Sequence, residues 1–225
     1  VDTLIIDKTG TITEGKPSVE KVVSSNPEFS EEKIIRIVAA VNSNSEHPLA
    51  EATVNFAKNK GIEYPEAKDF NSVTGKGVQA TVDGKEVAIG NEALMNSIST
   101  KVSNDLRKEV EKEQHLGKTV SFLAVENEVK GYFTITDPIK KTSRQAISEL
   151  MESGIEVYML TGDNKNTAAA VAAQLDLTGF KAGMLPGDKL EEVKRLQGEG
   201  KKVAMAGDGI NDAPALAQAN VGIAL

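Results

Sequence analysis

The 225 residues contain no cysteine, so neither a disulfide framework nor a thiolate metal site can form within the chain. That composition fits a reducing compartment. There is no excess of positive charge either: 26 Lys and Arg stand against 33 Asp and Glu, a net charge of −7. This argues against non-specific binding to nucleic acid or to an anionic membrane. The basic residues are interspersed with acids, as on an ordinary solvated surface. No apolar run reaches the length of a membrane span, and no signal-peptide pattern opens the chain. There is also no initiator methionine, and the first residue already lies in a strand-like run. An excised fragment is the expectation. What the chain does have is 40% hydrophobic residues, enough to bury a core in one large or two small domains.

Val1–Ile6 is a β-branched apolar run that reads as a buried strand, and Asp7-Lys8-Thr9-Gly10-Thr11 follows it. Ser18–Ser24 reads as a second strand. Ser30 is placed to cap a helix with Ile34, Ile37, Val38 and Val41 on one face. Pro48 suits the first turn of a second helix that ends at Gly61. From Asp69 to Gly90 the period changes to strands, with Asp83-Gly84 predicting a hairpin turn. Asn91 caps a short helix, Ser103–His115 is a charged helix, and two strands flank Glu126-Asn127. This middle part therefore predicts an antiparallel sheet with helices.

Beyond Asp137-Pro138, helices at Thr142–Ser153, Thr167–Leu175, Gly187–Gln197 and Ala213–Ala219 alternate with strands. Those strands are Ile155–Leu160, one near Phe180, Lys202–Ala206 and Val221–Ala224. Such alternation predicts a doubly wound α/β parallel sheet. The opening strand has no helix of its own and is expected to join that sheet. The expected domains are 1–16 with 135–225, and an inserted 17–134.

In a parallel sheet, the loops Asp7–Thr11, Thr161–Asn164 and Gly207–Asp212 would share one C-terminal edge, where open α/β sheets bind ligands. Taken singly, each is ordinary turn chemistry, and Lys189 is an ordinary solvated helix residue. Together they suit phosphoryl transfer, in which catalysis is mostly positioning and charge neutralisation. Asp7 would be the nucleophile. Asp208 and Asp212 would hold Mg²⁺, Thr161 would bind phosphoryl oxygens, and Lys189 would add positive charge.

The segments Asp7–Thr11, Thr161–Asn164 and Gly207–Pro214 resemble the signature set of P-type ATPases, and Ser45-Glu46-His47-Pro48-Leu49 resembles the mark of the heavy-metal-transporting subgroup. The resemblance covers the whole chain in order. It implies a haloacid dehalogenase-like phosphorylation domain with an inserted α+β nucleotide-binding domain. It also implies that Asp7 is phosphorylated from ATP and that Thr161 and Lys189 bind the phosphoryl group. Lys8, Thr9 and Gly162 would complete the catalytic set, with Asn211 in support. Asp7, Thr9, Asp208 and Asp212 would surround Mg²⁺. On the insert, Glu46, His47, Gly75 and Gly77 would lie near the adenine, while Asp163 would help to place the nucleotide and the domain junction. A neutral imidazole can stack on a base, and glycines admit a close backbone approach. His47 before Pro48 would otherwise read as a loop or helix-cap residue.

Two positions add to the match. Related phosphatases carry a second acid two residues after the nucleophile. Thr9, with no group titrating near neutral pH, does that work poorly, which implies a phosphoenzyme that lasts until another domain hydrolyses it. Where the subgroup has a glutamate five residues before the histidine, this chain has Asn42, which keeps donor and acceptor but loses the charge. Retained but altered nucleotide affinity is expected.

The implied whole is the cytosolic unit of an integral membrane pump, with an actuator domain, membrane segments and a metal-binding or chaperone domain as partners, and no nucleic acid. The fragment is expected to be monomeric. Gly75-Lys76-Gly77-Val78 and Ala217–Val221 resemble copper transporters more than zinc or cadmium ones. A stand-alone Mg²⁺-dependent phosphatase and a non-catalytic nucleotide-binding regulatory module are the alternatives.

Overall fold

The computed structural model describes residues 1–207 and 212–225. The chain divides into two compact units: residues 1–16, 115–117 and 137–225, and residues 17–114 with 118–136.

Strand β1 (Thr3–Asp7) is buried along its whole length. After Asp7 the chain makes a tight irregular turn with Gly10 at φ 73°, a left-handed position that glycine takes without a Cβ clash. It then leaves for the inserted unit. There β2 (Ser18–Ser24) is followed by helices α1 (Glu31–Asn42) and α2 (Pro48–Asn59). Ser30 caps α1 by accepting the Lys33 N–H at 3.2 Å, and Pro48 opens α2, whose missing N–H is no loss there. Strands β3 (Lys68–Val73), β4 (Gly77–Val82) and β5 (Lys85–Gly90) follow, then α3 (Glu92–Ser97), α4 (Asn104–His115), β6 (Thr119–Val125) and β7 (Glu128–Thr136). Asp83-Gly84 and Glu126-Asn127 all have positive φ, as hairpin turns of the primed type require.

These six strands form one antiparallel sheet in the order β2-β7-β6-β5-β4-β3. Alternation along the strands divides its side chains between two cores. Val82, Val87, Ile89, Leu123 and Phe133 pack with α1 and α2. Ala88, Phe122, Ala124 and Tyr132 pack with α3 and α4.

The chain returns to the first unit with α5 (Ser143–Glu152), β8 (Glu156–Leu160), α6 (Lys165–Gln174), β9 (Gly179–Lys181), α7 (Pro186–Gly198), β10 (Val203–Gly207), α8 (Ala213–Gln218) and β11 (Val221–Ala224). Helix α6 starts two residues before the expected Thr167, because Asn164 caps it by accepting the Asn166 and Thr167 N–H groups. The sheet is parallel throughout, in the order β11-β10-β1-β8-β9. One face, with Leu4, Ile6, Val157 and Met159, is covered by Ile147 of α5 and Ala168 and Val171 of α6. The other, with Ile5, Leu160, Val203 and Met205, is covered by Val193 and Leu196 of α7 and Ala215 of α8. Helices on both faces of a parallel sheet are the doubly wound architecture. Successive strands run outward from β1 to β9 and then return to β10 on its other side. That reversal makes β1–β10 the switch point, where such sheets hold ligands.

Candidate functional site

Asp7 ends β1, and strand alternation decides where its side chain goes. Ile5 packs on the α7 side of the sheet, so Asp7, two residues on, points to the same side. Lys189 stands on α7. Its ammonium donates to Asp7 Oδ1 at 2.5 Å and to Asp212 Oδ1 at 2.7 Å. All three residues are buried, Lys189 at 8% exposure, Asp7 at 7% and Asp212 at 2%. The bland expectation of a solvated Lys189 therefore fails, since two carboxylates hold it inside. Burial pushes its ammonium down, but the Asp7 charge and the hydrogen bonds to Asp212 and Asp7 outweigh that and raise it above the usual lysine range. Gly207 ends β10, and a Cβ there would meet Asp212 Oδ2 at 2.5 Å. Its missing side chain is the room Asp212 occupies.

The register pairs Asp7 with Leu160, which sets Thr161 beside the end of the strand that carries Asp7. Thr161 Oγ1 donates to Asp163 Oδ2 at 3.2 Å and accepts the Asp163 N–H at 3.1 Å. Asp163 also forms an ion pair with the buried Lys8. The Thr161 N–H donates to the Lys181 carbonyl, and its own carbonyl accepts from Met184 N–H, both at 3.0 Å. Gly162 lies within this paired segment, where a Cβ would reach 3.4 Å from the Met184 carbonyl. Asp7, Lys8, Thr161, Gly162, Asp163, Lys189 and Asp212 thus all belong to the first unit and gather at its C-terminal sheet edge. Thr9 is half-buried in extended conformation on the same loop (φ −73°, ψ 129°). Asp208 and Asn211 lie outside the described residues. Among the described residues no group of three or more His, Cys, Asp or Glu is arranged for a metal ion. The Asp7 and Asp212 carboxylates, both reaching one cation, are the oxygen donors a hard ion such as Mg²⁺ favours.

Three residues that the sequence does not single out shape the loop after Asp7. Thr13 is 1% exposed, and its hydroxyl accepts the Gly10 N–H at 3.2 Å. It lies 2.6 Å from Asp137 Oδ2 and 3.1 Å from the Lys8 carbonyl. With one proton to give, it serves the short charge-assisted contact to Asp137. Lys140 Nζ donates to the Gly10 carbonyl at 2.6 Å. Asp137-Pro138 reads in the sequence only as a boundary. Beside Gly10, the Thr11 hydroxyl oxygen is buried with no hydrogen-bond partner among the described residues.

On the second unit, His47 is exposed and caps α2, its Nδ1 accepting the Leu49 N–H at 3.2 Å. Glu46 beside it is exposed. Gly75 is left-handed (φ 70°), and its carbonyl accepts from Asn91 Nδ2 at 2.9 Å. Gly77 has another reason to be glycine. A Cβ there would lie 2.1 Å from the Ile89 carbonyl oxygen and 2.6 Å from Gly90 Cα, so the close approach it permits is to β5 of its own sheet. Asn42 is buried at the α1–α2 contact, where its amide donates to Thr53 Oγ1 at 2.8 Å, and Thr53 donates onward to the Ala50 carbonyl at 2.7 Å. Its amide nitrogen is therefore engaged inside the helix pair.

The model of haloacid dehalogenase-like hydrolases matches residues 1–220. A copper-exporting P-type ATPase of Staphylococcus epidermidis is 41% identical over 225 residues, covering 100% of this chain and 28% of that protein. A silver exporting P-type ATPase of Salmonella typhimurium is 46% identical over 226 residues, covering 100% and 27%. The chain thus spans just over a quarter of the length of these curated relatives. Among solved structures, the catalytic domain of the CPx-ATPase CopB-B superposes with a TM-score of 0.75 at 28% identity, covering 98% of this chain and 76% of that one. A zinc-transporting PIB-type ATPase in its E2.Pi state gives 0.62 at 37% identity, covering 100% and 36%. No described helix is long and apolar enough to cross a membrane. By its strand-end chemistry and by these matches, the chain belongs to the haloacid dehalogenase-like hydrolases and is homologous to the catalytic domain of heavy-metal P-type ATPases.

Proposed function

We propose that this chain is the ATP-binding and autophosphorylation unit of a heavy-metal-transporting P-type ATPase, and that Asp7 is its phosphate acceptor. The observation that carries the proposal is the buried Lys189 ammonium shared by Asp7 and Asp212 at the switch point of the sheet. An Asp7 oxygen attacks the terminal phosphorus of ATP, and the bond to the bridging oxygen breaks. ADP leaves with that electron pair, and Asp7 carries the phosphoryl group as an acyl phosphate. Lys189 would offset the charge that builds on the phosphoryl oxygens, and the Thr161 hydroxyl, which donates to Asp163 in this structure, would turn to donate to them. A Mg²⁺ ion, held by Asp7 and Asp212 with Asp208 and Thr9, would supply further charge neutralisation. Thr9 offers no general base, so the acyl phosphate persists, as energy coupling to a conformational cycle requires.

Glu46, His47, Gly75 and Asn42 form the adenine end of the nucleotide site in this reading, with Gly77 keeping the β4–β5 contact close beneath it. On the first unit, Asp163, paired with Lys8, would contribute to nucleotide binding. The relatives described as copper and silver exporters support copper as the transported metal. An actuator domain and membrane segments would complete the pump, with this unit on the cytoplasmic side.

The test is a γ-³²P-ATP labelling of the parent protein with Mg²⁺. An acid-stable, hydroxylamine-sensitive label that disappears in Asp7→Asn is expected. Persistent label in Asp7→Asn would overturn the assignment. ATP binding with no label in the wild type would favour a regulatory module.

A further inference from the structure

Glu192 is 8% exposed, yet no step of the phosphoryl chemistry touches it. It lies three residues after Lys189, on the same buried side of α7. Its Oε2 accepts from Lys181 Nζ at 2.5 Å and from Arg195 Nε at 2.9 Å, and its Oε1 accepts from Arg195 Nη2 at 2.8 Å. The Arg195 contact stays within α7. The Lys181 contact does not, because Lys181 ends β9, and its carbonyl is the one that receives the Thr161 N–H.

We infer that Glu192 is a positioning residue for Lys189, locking α7 to the end of β9 through Lys181; this rests on the phosphoryl-transfer reading above. Apart from Lys189 itself, whose flexible side chain bonds Asp7 at the end of β1, the other described contacts of α7 with the sheet, through Val193 and Leu196, are apolar. Apolar burial resists separation but is non-directional and leaves small slides and rotations of a helix cheap. A lysine stem is flexible, so where its ammonium rests depends on where its backbone is held. Glu192–Lys181 provides a directional anchor one helical turn from Lys189. Because Lys181 also holds Thr161, one residue keeps both arms of the phosphoryl site in register.

Beryllium fluoride with Mg²⁺ stands in for the acyl phosphate on an aspartate, and its binding to the intact 225-residue chain can be titrated by ¹⁹F NMR. Glu192→Gln and Lys181→Met are expected to weaken binding roughly 10- to 100-fold, the range for small misplacements of a working group. Lys181→Arg should restore most of it. In a Lys189→Met background, Glu192→Gln should cause a much smaller further loss, because only the Thr161 arm is left to misplace. An undiminished loss there, or wild-type binding by Glu192→Gln and Lys181→Met, overturns the inference. The ammonium ¹⁵N resonance of Lys189 provides a second reading: it should move in Glu192→Gln, and an unmoved resonance also overturns it. A wild-type chain that does not bind beryllium fluoride at all would instead bring down the phosphoryl reading, and this inference with it.

Discussion

The Lys189 ammonium lies 2.5 Å from Asp7 Oδ1 across 182 residues of sequence, and both side chains are buried. Each makes the other tolerable. An unpaired buried charge is strongly destabilising, because desolvation is no longer offset. Lys189→Met therefore leaves Asp7 and Asp212 as neighbouring carboxylates with no cation between them. The variant should lose about 3 kcal/mol of stability, measured by denaturant unfolding. Asp7→Asn combined with Lys189→Met should lose less than the two single changes summed, since the second removes a charge the first stranded. Strict additivity would show that the pair is not coupled.

Glu192 sets a pH dependence. Burial pushes its carboxyl up, but hydrogen bonds from Arg195 and then Lys181 outweigh that and hold it below the usual range. A carboxyl lowered in the folded state contributes stability above its unfolded pKa of about 4.3 and loses it as pH falls through the lower folded value. The stability gap between wild type and Glu192→Gln should be widest near neutrality and close in acid. Unfolding curves from pH 7 down to pH 3 measure it, and a gap that stays constant would contradict the assignment.

Thr13→Val keeps the shape of the side chain and removes its hydroxyl. The Gly10 N–H would lose its acceptor, and Asp137 would lose the donor at Oδ2 while keeping the Lys16 N–H at Oδ1. Leaving such groups unsatisfied costs about 1–3 kcal/mol, and the loop after Asp7 should loosen with it. Faster amide exchange at Gly10 is the expected local sign. Protection equal to the wild type would show that the hydroxyl does not hold the loop.

Gly77 and Gly84 both have positive φ, at 146° and 75°, but only Gly77 meets backbone on adding a Cβ. Gly84→Ala should cost about 1 kcal/mol, the strain of a left-handed residue. Gly77→Ala adds a clash with the Ile89 carbonyl, which no side-chain rotation relieves, and should cost about 3 kcal/mol or more. Urea midpoints of the two variants would separate the effects, and equal midpoints would contradict the packing argument.

If the proposed nucleotide site is right, Asn42 would couple helix packing to nucleotide binding. Asn42→Glu brings a longer, charged group to a buried position whose present donor is bonded to Thr53. ATP affinity, titrated on the folded variant, should change. An unchanged affinity would mean that this position holds α1 to α2 and does not read adenine.

Elements whose signals are local were legible in the sequence. Ser30, Asn91 and Asn164 cap helices through their own side chains, and Asp83-Gly84 turns a hairpin by its own backbone preference. Continuous apolar runs such as Leu4, Ile5 and Ile6 announce a strand with two buried faces. Helix α6 begins two residues before its apolar pattern predicts, because its cap, Asn164, sits in the segment that reads first as a ligand loop.

The kinds of elements, their order and the polar loops at three strand ends are encoded locally, because each depends on neighbours a few residues away. Only the tertiary structure decided which distant residues meet. Strand alternation turns Asp7 towards α7, and crossover topology brings Lys189 to it. Chain return places Asp137 against Thr13, and sheet register sets Gly77 against Gly90. No local preference encodes those contacts. They arise from burying two faces of each sheet at once, which fixes register and helix placement together.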